Sequence, residues 1–204
     1  MANYKDIKFN FTASSNATGL GGAWTLIKTQ TVSSSVAAID FIHGTSSVVF
    51  DDTYETYLIT CCNMHPANQK PELRFHPGDG DFTDSKTSCQ WIQRMSYGDG
   101  SVTVGVDDTN DLQQGTGGQP VAINVGNGNA TDSCSGHIYF HGPGETDQYK
   151  NFIYDFISVT PDEMEACHGG SNIQITGAVD RFRIDFSSGN IDAGSISLYG
   201  FSES

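Results

Sequence analysis

Arg181-Phe182-Arg183-Ile184-Asp185-Phe186, then Ser187-Ser188-Gly189-Asn190, then Ser195-Ile196-Ser197-Leu198-Tyr199-Gly200-Phe201: this closing stretch decides the fold class. Phe182, Ile184 and Phe186 alternate strictly with Arg181, Arg183 and Asp185. Successive side chains of an extended chain point to opposite faces, so the pattern predicts a strand with one buried and one wet face. A turn of Ser, Gly and Asn separates it from a second strand with Ile196 and Leu198 on one side. Two strands joined this way, over Ala178–Phe201, predict an antiparallel pair.

The same grammar runs backward through the chain. Trp24–Val32 and Ser35–Ile42 read as strands across a Ser-rich turn, and Thr53–Asn63 is apolar on both faces, as a central strand would be. Leu73 and Phe75 alternate with Glu72, Arg74 and His76; Ile138 and Phe140 alternate with His137, Tyr139 and His141. Strands are also predicted around Trp91–Met95, at Val102–Val106 and Pro120–Val125, and at Phe152–Val159, again with two apolar faces. One segment breaks the pattern. Thr160-Pro161-Asp162-Glu163 is a capping box with Pro at the first helical position, and Gly169 stands as a stop, which predicts one short helix over 161–168. The fold class is therefore all-β, an antiparallel β-sandwich with one short helix.

Composition agrees. Among 204 residues there are 23 Gly and only 17% charged residues, the mix of many short strands joined by small polar turns. One domain is expected over residues 23–204. Residues 1–22 form an expected flexible arm, because Ala13–Gly22 is small, polar and Gly-rich and buries little surface. Phe9 and Phe11, at period two before it, are candidate docking anchors on a neighbouring protein.

The net charge of −14, without clustered Lys or Arg, argues against nucleic acid and against anionic membrane surfaces as partners. No run approaches 18 apolar residues. Five cysteines, an odd number after a polar start with no signal-peptide pattern, are expected as free thiols of a protein made in a reducing cytoplasm. Cys61 and Cys62 are adjacent on a strand and should point to opposite faces.

Motifs for chemistry are sparse. His137 and His141 would share a helical face, but on a strand they lie about 13 Å apart, too far for one ion. Cys167-His168 is a sequence neighbour pair, whereas catalytic dyads meet in space. Asp79-Gly80-Asp81-Phe82-Thr83-Asp84 partly resembles a calcium loop but has Asp84 where the EF-hand needs Gly, which leaves a polar turn and a calcium site of another kind both open. No nucleophile elbow, zinc-protease or phosphate-loop motif occurs. No catalytic residue, metal ligand or cofactor is assigned. Trp91 and Tyr97, with Tyr139, Tyr149 and Tyr199, sit at predicted strand ends or wet faces; Trp91 and Tyr97 are the candidate glycan or receptor contacts.

Three blocks carry a resemblance: Gly21–Thr31 with Ala38-Ile39-Asp40-Phe41; Tyr54–Thr60 with Pro66-Ala67 and Glu72–Phe75; and Ser187–Gly200. In order, they are similar to small tail-fibre-like or virion structural proteins of tailed bacteriophages, particularly phages of aquatic bacteria. They cover about half of the chain, and residues 96–176 contribute little to the likeness. The resemblance implies a jelly-roll-like sandwich carried on a virion, on a tail fibre or appendage or as a capsid decoration. It further implies other virion proteins as partners, assembly as a homo-oligomer and no enzymatic activity, but it supplies no functional residues. A module that binds host-surface glycan is the alternative expectation, and a glycan-degrading hydrolase is a third.

Overall fold

The computed structural model describes residues 24–128 and 131–201, and every regular element among them is a strand. In chain order these are β1 (Trp24–Thr31), β2 (Ala38–Ile42), β3 (Thr56–Pro66), β4 (Leu73–Gly78), β5 (Lys86–Ser96), β6 (Val102–Val106), β7 (Gln119–Ala122), β8 (Cys134–His141), β9 (Lys150–Val159), β10 (Glu163–Ile173), β11 (Arg181–Phe186) and β12 (Ile191–Phe201). The expected arm, with Phe9 and Phe11, lies outside the described residues.

All pairings are antiparallel, in an eight-stranded sheet ordered β1-β12-β3-β8-β9-β10-β5-β6 and a four-stranded sheet ordered β2-β11-β4-β7. Setting aside the β5–β6 and β9–β10 hairpins leaves two four-stranded sheets, β1-β12-β3-β8 and β2-β11-β4-β7. That order is the double Greek key of a jelly roll. The two hairpins join side by side and extend the first sheet beyond β8 by four strands. At the opposite edge Trp24 pairs with Phe201, so β1 begins where β12 ends.

The core between the sheets is aromatic. Phe182 stacks on Phe41 at 4.7 Å between centroids, and Phe50 and Phe75 each lie 5.5 Å from it. Phe75 meets Phe152 edge-on at 5.0 Å, which joins the small sheet to the first added strand. Phe182, Ile184 and Phe186 are buried as their alternation predicts. Arg183 and Asp185 face outward into paired charges: Arg183 with Asp40 at 2.7 and 2.8 Å, and Arg74 with Asp185 at 2.9 and 3.0 Å.

Two expectations are corrected. The segment 161–168 is not a helix: Pro161 and Asp162 form the two-residue loop of the β9–β10 hairpin, and Glu163–Ile173 is strand throughout. The Thr160 hydroxyl accepts from the N–H groups of Asp162 (3.2 Å) and Glu163 (3.1 Å), as a helix cap would, and Pro suits the first central position of a tight turn. The following backbone is then taken by ladders to both β9 and β5, which a helix cannot satisfy. Nor do β11 and β12 pair with each other. The turn Ser187–Asn190 carries the chain from the small sheet to the large one, because Phe186 and Ile191 are both buried but on facing sheets.

Candidate interaction face

The four added strands are built differently on their two sides. Their inner side is tied down by polar groups. The Tyr154 hydroxyl donates to Gln90 (2.9 Å) and accepts from Gln119 of β7 (3.1 Å), and Ser158 donates to the carbonyl of Ile123. Buried Glu165 takes bonds from Arg94 and Asn124, and Asp107 takes bonds from Gln90 and Asn110. Lys86 is buried, donates to the carbonyl of Asp84, and is pushed down to about 8 by burial.

Their outer side is apolar. Strand alternation and register place Ile153, Asp155 and Ile157 of β9, Met164, Ala166 and His168 of β10, Trp91, Gln93 and Met95 of β5, and Val102, Val104 and Val106 of β6 on one surface. Trp91 is 47% exposed, Ile153 50%, Ile157 49% and Val104 59%. β9 does carry two apolar faces, as its sequence predicts, but the outer one is uncovered.

One row crosses this surface in register: Val106, Trp91, His168, Asp155 and His137. Asp155 is hydrogen-bonded to His168 Nδ1 through one oxygen and lies 3.7 Å from His137 Nε2 through the other. The Trp91 ring stands 5.5 Å from the His168 ring, and Tyr139 meets His137 edge-on at 5.1 Å. The side chains thus present flat rings beside a polar row with both donors and acceptors. Tyr97, just beyond β5, is exposed at the sheet's end and belongs to the turn rather than the row. Trp91 and Tyr97 therefore do not form one cluster.

Asp155 and His168 went unnoticed in the sequence as partners, because 13 positions separate them and only the β9–β10 register joins them. Their signal is faint: alternation puts each on the wet face of its strand. Cys167, next to His168, points inward, and burial pushes its thiol up to about 12. Cys61 is buried and Cys62 exposed, on opposite faces, and all five thiols are unpaired by disulfides.

The Asp79–Asp84 segment is a tight polar turn. Asp84 accepts from the N–H of Asp79 (2.7 Å), Asp81 from the N–H of Thr83 (2.7 Å), and Asp180 from the N–H of Gly80 (3.2 Å). Among the described residues no three His, Cys, Asp or Glu side chains are grouped so as to hold a metal ion. An open cleft of about 850 Å3 is lined by Thr31, Cys62, Asn63, His65, Asp132 and Ser195 among others. No protein-family model, curated protein or solved structure matches this chain.

Proposed function

We propose that this chain is a non-enzymatic structural protein of a tailed-bacteriophage particle, displayed on its surface as a tail-fibre or appendage component or as a capsid decoration. The likeness of its opening, middle and closing blocks to such proteins supports the assignment to a particle. The observation that carries the reading of an interaction domain is the outer face of the added strands. It holds exposed apolar side chains on a chain of net charge −14, where solvation alone would favour carboxylates. Surfaces of that kind mark places where another macromolecule docks, and function in a common fold resides in what is added to it. In this reading residues 1–22, with Phe9 and Phe11, attach the domain to the particle.

A chain lacking residues 2–20 should keep the melting temperature of the full chain and be lost from purified particles, as measured by quantitative mass spectrometry. Normal incorporation of the truncated chain would end the docking role, and absence of the full chain from particles would end the assignment. A second reading, binding of host-surface glycan, is favoured by one observation: the exposed Trp91 ring beside the His168–Asp155–His137 row, an arrangement suited to stacking and bonding a sugar. Under it, the purified chain binds host polysaccharide and Trp91→Ala abolishes the binding.

A further inference from the structure

We propose that the outer face of β8, β9, β10, β5 and β6 is where a second copy of this chain packs, outer face against outer face. This rests on taking that face as an interaction surface and names its occupant.

Charge is the first argument. Two copies, each of net charge −14, repel each other, and stacked sheets stand only about 10 Å apart. They can meet only on a surface almost free of carboxylates. The outward positions of these five strands include a single one, Asp155, and it is held between His168 and His137. The outer face of the small sheet is the opposite case, with Asp40, Asp185, Arg74 and Arg183 committed to one another. A basic partner selected by this acidic chain would seek carboxylates, and the apolar face has none to spare.

Size is the second argument. β10 and β5 each run 11 residues, about 37 Å, and five strands span about 24 Å. Allowing for the short β6, the face measures about 700 Å2 per copy, close to the roughly 800 Å2 that each partner buries in a standard stable interface. Its chemistry is the third. Trp91, halfway along β5, and Met95, near its end, are both large and exposed and share the surface with Val104, Ile153 and Ile157. Side chains of these kinds anchor interfaces, and two twisted sheets of one hand pack face to face, as the two halves of a sandwich do.

Analytical ultracentrifugation of the full chain, from low to high micromolar and with reductant present because Cys62 and Cys89 are exposed, tests the pairing. The wild type should sediment as a dimer. Ile153→Asp and Gln93→Lys should each weaken association about tenfold or more. Gln93 is an exposed polar side chain, so its variant keeps the fold and decides the matter should Ile153→Asp unfold. A wild type that stays monomeric throughout, or a Gln93→Lys chain that dimerises as well as wild type, overturns the pairing. A monomer that still loads onto particles overturns the pairing and leaves the particle role standing. A dimer never found on particles does the reverse.

Discussion

Asp185 shows how a single position is set by its neighbours. It faces outward from β11, yet its side chain is only 16% exposed, and it accepts from Arg74 Nε and Nη2 and lies 3.0 Å from His76 Nε2. Burial by itself would raise its pKa, but the bonds from His76 and Arg74 outweigh this and hold the carboxyl below its ordinary value. A carboxylate of that kind stabilises the fold at neutral pH, and the contribution disappears as pH falls below the ordinary carboxylate range through the folded value. Asp185→Asn should therefore cost about 1.5–3 kcal/mol in urea unfolding at pH 7, because it removes the charge that Arg74 and His76 face and leaves Arg74 only the Phe186 carbonyl as a full partner. The difference from wild type should shrink as the pH is lowered toward 3, and a difference independent of pH would refute the ion-pair account. At this scale the sequence shows which way each side chain points. It does not show the partner, because Arg74 and Asp185 lie 111 positions apart and meet only through the β4–β11 register.

Gly169 carries the lesson for elements. In the sequence it resembles a helix stop; in the structure it sits in the middle of β10, opposite Tyr154 of β9 and Gln90 of β5. A Cβ there would stand 2.3 Å from the Tyr154 hydroxyl, so the missing side chain makes room for the bridge from Tyr154 to Gln90 and Gln119. Gly169→Ala should destabilise the domain by about 1–3 kcal/mol in a denaturant titration, the usual cost of overpacking. An unchanged midpoint would mean that the hydroxyl network moves freely. The misread helix and this glycine share a cause. A capped turn with Pro161 is locally the same whether a helix or a hairpin follows, and only pairing with β9 and β5 decides between them. Strands with clean alternation, β4, β8 and β11, were legible because one face of each is buried and the other wet. The outer face of the added strands was not legible as a site, because an uncovered apolar position on β9 reads the same as a buried one.

For the whole molecule the same limit appears in the topology. The sequence carries the strands other than β10, which it offers as a helix, but the crossing of Ser187–Asn190 between sheets depends on which buried side chains share a core. The closure of the jelly roll gives a test of its own. Trp24 and Phe201 are paired neighbours, so a short Gly-rich link from Phe201 to Trp24 would make an ordinary hairpin. A permuted chain with that link, and new ends in the turn at Gly98–Gly100, should fold and melt within about 3 °C of the original, a shift of about 1 kcal/mol for a domain of this size. Failure to fold would mean that chain order, and not only packing, is needed to reach the structure. The same adjacency has a mechanical side. Anything joined ahead of Trp24 or beyond Phe201 pulls on a single corner of the large sheet, while β6 lies at its other edge, about 34 Å away at the usual strand spacing. A tether at either of those residues would therefore hold the domain along one jamb, with Val102–Val106 at the far side of the leaf.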